Sequence, residues 1–333
     1  MNKYIAITIG DINGIGIQLY LDLIKKIKNN NFILFTNYDI LNNYLKKNNF
    51  KFKINLINKI TNQIDFHKGK LNIYSYKSKN FYENTYYSLT YSYKICIKFN
   101  FLGIVTLPLR KDLMIKNIDT NFVGQTEFFQ KIDKKEISNM ILFHNKLIIS
   151  PLTNHKAVNS ISKSIRKKNY LYFKIISLNN SLKKDFNIKN PKILVSGFNP
   201  HAGENGNLGN EEIKVIIPTI KKLQKKGVDA TGPISPDSML INKNISKYDC
   251  FAFIYHDQAL IPFKYISQFT GINFTSNLNI IRVSPDHGTA YDLKGKSKIS
   301  NKSLINCFKF IKKVSKNRNI NASKKIFKSK FYL

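Results

Sequence analysis

The sequence predicts an α/β protein built on a largely parallel sheet. Short apolar runs alternate with amphipathic stretches, glycine-containing polar motifs follow several of those runs directly, and 333 residues exceed what one small core requires, so two domains are expected. Strand candidates, in order, are YIAITIG (4–10), FILFT (32–36), FLGIVTLP (101–108), KLIIS (146–150), KILVSGF (192–198) and FAFIY (251–255). Helix candidates cover 17–28, 211–226 and 303–316. In 211–226 the positions Ile213, Ile216, Ile217, Ile220 and Leu223 trace one helical face. Asn210 is placed to cap that helix, Glu211 and Glu212 suit its positive end, Pro218 bends it and Gly227 follows it. Residues 37–95 are polar and tyrosine-rich and show no clear motif, and no internal repeat is visible.

The formal charge of +34 invites a nucleic-acid reading, but composition argues against it. Of 54 basic residues only four are arginine (Arg110, Arg166, Arg282 and Arg318), and the lysines are spread along the whole chain. Nucleic-acid binders favour arginine for base and phosphate forks. Abundant lysine, asparagine, isoleucine, phenylalanine and tyrosine are what an A- and T-rich genome imprints on a solvated surface. No apolar run reaches the roughly 20 residues needed to span a bilayer, so no membrane association is expected. The three cysteines, Cys96, Cys250 and Cys307, are widely spaced and point to a reducing, cytoplasmic setting without disulfides.

Where drift removes glycine, histidine and arginine, the survivors mark places where chemistry or backbone geometry requires them. GDINGIG (Gly10 to Gly16) lies between a strand and a helix, where glycines allow either close approach of an anion or a tight turn. TLPLRK (106–111) and FVGQTEFF (122–129) bring Arg110, Lys111, Gln125 and Thr126, groups suited to phosphate or carboxylate. NPHAGENGNLGNEE (199–212) gathers His201, three glycines and three glutamates after the strand KILVSGF. In YHDQALIPFKY, His256 and Asp257 follow the strand FAFIY in the same way. Two histidines at strand ends can share a divalent ion through neutral imidazoles. RVSPDHGTAYDLKGK supplies Arg282 and the loop His287, Gly288, Thr289, Ala290, with Asp292 placed to accept bonds from ribose hydroxyls.

Taken together, GDINGIG, TLPLRK, FVGQTEFF, LVSGFNPHAGENGNLGNEE, GPISPDS, YHDQALIPFKY, GINFT and RVSPDHGTAYDLKGK resemble, in order and spacing, the 4-hydroxythreonine-4-phosphate dehydrogenase family of pyridoxal phosphate biosynthesis. The resemblance implies the fold of isocitrate and isopropylmalate dehydrogenases, two α/β/α lobes around a cleft. Residues 1–118 plus 285–333 would form the cofactor-side lobe, and 119–284 the lobe with metal and substrate residues and the dimer interface. It also implies NAD, a divalent metal ion (zinc, magnesium or cobalt), and a homodimer with shared active sites. The implied substrate is a phosphorylated small molecule, 4-phosphooxy-L-threonine, oxidised at its C3 hydroxyl and then decarboxylated to 3-amino-2-oxopropyl phosphate.

By the same resemblance His201 and His256 match metal ligands, and Thr126, Lys264, Asn273 and Arg282 match substrate contacts. The 287–296 loop matches the cofactor-adenosine loop, and Lys111, Asp237 and Asp257 are candidates for proton transfer and its support. Two positions depart from the family pattern. Gln125 stands where a histidine is usual, and Leu152 falls where the remaining metal histidine is expected, leaving His155, three residues on, as the candidate replacement. A sibling dehydrogenase for another four-carbon phosphorylated hydroxy acid, and a decayed binder of phosphorylated metabolites, are the alternatives these departures leave open.

Overall fold

The computed structural model describes residues 4–27, 31–61, 64, 69–295 and 299–330, with side chains through 320; residue 28 of the candidate helix 17–28 and Lys296 of the candidate cofactor loop lie outside them. The chain divides into two compact units, residues 1–129 with 279–312 and residues 130–278 with 313–333. The elements run β1 (Ile5–Thr8), α1 (Ile15–Lys26), β2 (Phe32–Phe35), α2 (Tyr38–Lys47), β3 (Ile54–Ile57), β4 (Leu71–Tyr74), α3 (Phe81–Phe99), β5 (Gly103–Thr106), α4 (Lys111–Asn117) and α5 (Gln125–Ile132). Then come β6 (Met140–His144), β7 (Leu147–Thr153), α6 (Ile161–Ile165), α7 (Tyr170–Lys184), β8 (Lys192–Ser196), α8 (Ile217–Gln224), β9 (Asp229–Ile234), α9 (Asn242–Lys247), β10 (Cys250–Tyr255), α10 (His256–Ser267) and β11 (Ile272–Thr275). The chain closes with β12 (Arg282–Pro285) and α11 (Lys302–Lys330).

Each unit is an α/β layer structure, as the alternation of apolar runs predicts. In the first unit the strands follow the order β3-β4-β2-β1-β5-β12, and every pairing is parallel. In the second the order is β11-β6-β7-β10-β8-β9, with β6 antiparallel to both neighbours and the remaining pairs parallel. Strands β1, β2 and β5 are buried along their whole length, which is why they read as continuous apolar runs and not as alternating ones. The second core gathers Leu142, Ile149, Leu194, Phe251, Phe253 and Phe263.

Residues 37–95, opaque in sequence, hold α2, β3, β4 and the long helix α3. The buried face of α3 explains the opacity, because Asn84, Thr85, Ser88 and Ser92 lie on it beside Leu89 and Ile95. Ser88 donates to the Phe35 carbonyl (2.8 Å) and accepts from the Ile9 amide (2.9 Å), while Thr85 donates to the Gly10 carbonyl (2.8 Å). A helix whose inner face satisfies strand backbone groups shows little apolar period.

The helix expected over 211–226 forms, with an irregular first half: Glu212–Ile216 is a wide, π-helical turn and runs directly into α8, which ends at Gln224. The wide turn sits directly before Pro218, whose nitrogen has no hydrogen to donate. Asn210 does not cap: its side chain accepts from Arg166 (2.9 Å). Helix α11 is longer than the 303–316 expected. It is tied down by Arg318, whose Nε donates to the buried Asp185 carboxylate (2.7 Å), and by Asn317, which donates to the Asp185 carbonyl (2.7 Å). Gln125, Thr126 and Arg282, expected in the second lobe, belong to the first unit, because β12 pairs with β5 through Arg282 opposite Ile104.

Breaking a buried pair strands the remaining charge. Arg318→Met is expected to cost about 3 kcal/mol of unfolding free energy, read as a lower urea midpoint at unchanged m-value.

Candidate active site

In the second unit β7, β10, β8 and β9 are neighbours in that order. His155 follows the end of β7, His256 the end of β10, His201 the end of β8 and Asp237 the end of β9. Residues far apart in sequence therefore collect at one edge, the carboxyl end of parallel strands, where open α/β sheets bind ligands. The His155 and His256 rings lie 5.8 Å apart between centroids. Both line a small open cavity of about 110 Å³, with Thr153, Val158, Tyr255 and Asp257. His256 Nδ1 donates to Asp257 Oδ1 at 2.6 Å. That bond fixes the tautomer and leaves Nε2 as the lone-pair nitrogen, the usual state of a metal-binding histidine.

With nitrogen–metal distances of about 2.0–2.1 Å, two imidazole centroids sharing one tetrahedral ion stand roughly 5 Å apart. The observed spacing fits such a pair. Among the described residues no three histidine, cysteine or acidic side chains cluster as a metal site. His201 instead interacts with Asp237, whose carboxyl is held below the usual range by hydrogen bonds from Ser235 and Ser238 and by the histidine. Lys264 lies on α10 with its ammonium 5.3 Å from the centre of the Phe269 ring. Asn273 lies on β11, and its buried Oδ1 has no hydrogen-bond partner among the described residues.

His201 is presented by an unusual backbone. His201, Ala202, Gly203, Glu204 and Asn205 all lie in the left-handed region, with φ of 49, 52, 82, 42 and 56°. Left-handed backbone costs about 1 kcal/mol or more for each non-glycine residue and is rarely consecutive. Two buried carboxylates offset that cost. Glu212 Oε1 accepts from the Phe198 amide (2.7 Å) and the Asn199 amide (2.8 Å), and Oε2 accepts from Asn199 Nδ2 (2.9 Å). Glu211 accepts from the same Nδ2 (3.0 Å), from Ser162 (2.6 Å) and from Arg166 (2.8 Å). Bonds to charged groups are worth about 1.5–3 kcal/mol each, so several together hold the turn. A Cβ at Gly203 would lie 2.7 Å from Glu212 Oε2, and one at Gly209 would lie 2.5 Å from Asn199 Nδ2. The glutamates, at the start of a helix, thus also brace the loop that precedes it.

In the first unit β1, β5 and β12 are neighbours, and GDINGIG, TLPLRK and the 287–290 loop follow their ends. The glycines of GDINGIG are packing residues. A Cβ at Gly10 (φ +64°) would stand 2.5 Å from the Pro108 carbonyl oxygen, and one at Gly14 2.9 Å from the Thr289 carbonyl oxygen. The Ile15 amide, at the start of α1, donates to that Thr289 oxygen (2.9 Å). The turn is accordingly sealed by protein groups, which favours the tight-turn reading over an anion cradle. Tyr291 donates to Asp11, and its hydroxyl pKa is pushed up to about 12, by burial first and then by that carboxylate. His287 and Asp292 are partly or fully exposed, as is Gly288, and a Cβ at Gly288 would meet nothing within 4 Å. Lys111 is exposed at the start of α4.

Arg282 is buried. Its Nε and one terminal nitrogen donate to Thr106 Oγ1 (3.0 and 2.6 Å), that same terminal nitrogen donates to Gln125 Oε1, and the other terminal nitrogen reaches Thr126 (3.5 Å). Gln125 is held in turn through the Leu107 carbonyl (3.0 Å). Burial lowers the guanidinium pKa to about 10, opposed by Glu127. Four residues that sequence reasoning did not place, Thr106, Asp11, Tyr291 and Arg166, complete these networks. Arg166 and Thr106 were signalled only by the rarity of arginine and by adjacency to TLPLRK.

Over residues 28–311 the chain matches the family of pyridoxal phosphate biosynthetic protein PdxA. The chain belongs to that family. Relatives include the 4-hydroxythreonine-4-phosphate dehydrogenase of Wigglesworthia glossinidia brevipalpis, 37% identical over 91% of this chain and 95% of that protein. That of Aquifex aeolicus is 34% identical over 93% and 98%. The solved 4-hydroxythreonine-4-phosphate dehydrogenase of Klebsiella pneumoniae has a TM-score of 0.77 at 25% identity, covering 95% of this chain and 98% of its own. A terephthalate 1,2-cis-dihydrodiol dehydrogenase from Burkholderia xenovorans shares the fold, with a TM-score of 0.59 at 19% identity over 93% of this chain and 97% of its own. Among the described residues no helix is long and apolar enough to cross a membrane.

Within this PdxA family chain, Leu152 is fully buried in β7, and its carbonyl accepts from Tyr170 (3.0 Å). It is a core residue, and the nearest histidine to that strand end is His155, held at φ 44°. The bracing network also titrates. Burial pushes the Glu211 carboxyl up, but hydrogen bonds from Ser162, Asn199 and Arg166 outweigh it and hold the pKa at about 2, below the ordinary 4.5. A depressed folded-state pKa contributes stability that is present above the unfolded value and lost as pH falls through the folded one. Thermal unfolding is therefore expected to show a Glu211-dependent loss between about pH 4.5 and pH 2, and Glu211→Gln should be less stable at neutral pH with a flatter acid limb.

Proposed function

We propose that the chain is an NAD-dependent, metal-requiring dehydrogenase that oxidises 4-phosphooxy-L-threonine. The observation that carries this reading is the arrival of His155, His256, His201 and Asp237 at the carboxyl ends of four adjacent strands, in a chain of this family. In the reaction the C3–H bond of the substrate breaks, its electron pair leaves as hydride and the C3 hydroxyl loses its proton. The resulting 3-oxo acid loses carbon dioxide, and protonation at C2 gives 3-amino-2-oxopropyl phosphate. NAD supplies the hydride acceptor, and a bound divalent ion supplies Lewis-acid charge that acidifies the hydroxyl and steadies the enolate.

The chain's own residues bind, orient and move protons. His201, His256 and His155 hold the metal, and Asp257 fixes the His256 tautomer. Arg282, backed by Thr106, Gln125 and Thr126, neutralises one anionic group of the substrate, and Lys264 and Asn273 engage the remainder. Lys111 and Asp237 are the proton-transfer candidates. The loop of His287, Gly288, Thr289, Ala290 and Asp292 takes the cofactor adenosine, residues 287–295 being its described part. Among the described residues of one chain no three histidine, cysteine or acidic side chains cluster, and the metal ligands are accordingly drawn from two subunits of a homodimer, His201 of one meeting His256 of the partner subunit. Ile261, Tyr265 and Phe269, exposed at 70, 80 and 54% around Lys264, supply an apolar face suited to that association.

The purified protein with a divalent metal is expected to form NADH from 4-phosphooxy-L-threonine and to stop on chelation; no NADH at saturating substrate and metal would overturn the reading. His201→Ala and His256→Ala should each lower kcat/KM by about 100-fold or more, and Asp257→Asn by roughly tenfold. Arg282→Met should raise KM by about tenfold or more, the loss of charged hydrogen bonds. Subunits carrying His201→Ala, mixed with subunits carrying His256→Ala and allowed to exchange, should recover about a quarter of wild-type activity, since half the dimers then hold one intact site of two. No recovery on verified exchange would place each site within one chain.

A further inference from the structure

We infer that Glu212 is a positioning residue for His201, its carboxylate holding residues 201–205 in the left-handed turn that sets the imidazole beyond β8. The inference rests on the reading of His201 as a metal ligand given above. Glu212 is 2% exposed, and its oxygens take the two amides by which the chain leaves β8 and the side chain of Asn199. The carboxylate also fills the inside of the turn, since its Oε2 occupies space that only glycine leaves free at 203. Glu211 keeps Asn199 aimed by sharing its Nδ2, and is itself anchored by Arg166 and Ser162.

Without this carboxylate two part-buried amides lose their acceptor and the turn loses its inner support. The four non-glycine residues of the turn then gain by returning to right-handed backbone. That motion carries the His201 ring with it. His155 and His256 follow β7 and β10, outside this turn, and stay where they are. Glu212 therefore acts on metal binding through a histidine and not as a ligand.

The test uses the full-length protein in two arms: cobalt(II) titration by calorimetry, and hydrogen exchange of residues 198–205 without metal. Glu212→Ala is expected to weaken cobalt binding by about 10–100-fold, as loss of an outer hydrogen-bonding partner of a metal site does, and to speed exchange at 198–205. Glu212→Gln keeps one oxygen for the two amides and should lose less in both arms. Ala202→Gly added to Glu212→Ala should recover part of the affinity, because glycine takes the left-handed region without strain. Gly203→Ala, which intrudes on the carboxylate from the other side, should mimic Glu212→Ala, and decides the matter with Glu212→Gln if Glu212→Ala does not fold. Wild-type cobalt affinity and unchanged exchange in Glu212→Ala would overturn the inference, as would absence of any recovery with Ala202→Gly. Failure of the wild type to bind cobalt would sink the metal reading instead, and the exchange arm would still decide whether Glu212 holds the turn.

Discussion

The constraint on which this molecule depends is that neighbouring parallel strands end at the same edge of their sheet. In the second unit that edge receives His155, His201, Asp237 and His256 from β7, β8, β9 and β10. In the first it receives GDINGIG, TLPLRK and the 287–290 loop from β1, β5 and β12. Between the parallel strands that carry these loops the chain crosses back to the opposite end of the sheet, so each crossover delivers one more loop to the working edge. Chemistry dispersed along the sequence is gathered by topology.

Gathering alone does not orient a side chain. The His201 turn shows how orientation is imposed, with unfavourable left-handed backbone held by charged hydrogen bonds from two acids in a chain that has only 20 acidic residues. The Arg282 site solves the converse problem. There a buried cation is held by Thr106, Thr126 and Gln125, so the guanidinium keeps its geometry while its pKa is drawn down by burial. Both sites hold a scarce residue through a network of polar neighbours.

Legibility followed the same physics. Strands β1, β2, β5, β7, β8 and β10 were readable because both faces are covered, which leaves an apolar run between polar loops. Helix α3 was not, since its inner face carries the polar Asn84, Thr85, Ser88 and Ser92, of which Ser88 and Thr85 bond to the carbonyls of Phe35 and Gly10. Glu211 and Glu212 were noticed for their rarity and rightly placed at a helix start, but their bonds to the loop before that helix were not legible, because in one dimension such a side chain looks only like a charge complementing the helix after it. The glycines of GDINGIG had two readings, and the close approach of Pro108 and Thr289 favours packing.

The sequence by itself determined the α/β class, the strands β1, β2, β5, β7, β8 and β10 with the loops that follow them, and the motifs that mark the chain as a PdxA family member, because these depend on local pattern and on residue types retained against compositional drift. Only the tertiary structure decided that Leu152 is core while His155 stands beside His256, that Arg282 belongs with Thr106 and Gln125, and that Asn199, Glu211 and Glu212 brace the His201 turn. Those are relations between segments distant in sequence or between adjacent side chains with several possible partners, and they exist only once strand order and backbone handedness are set.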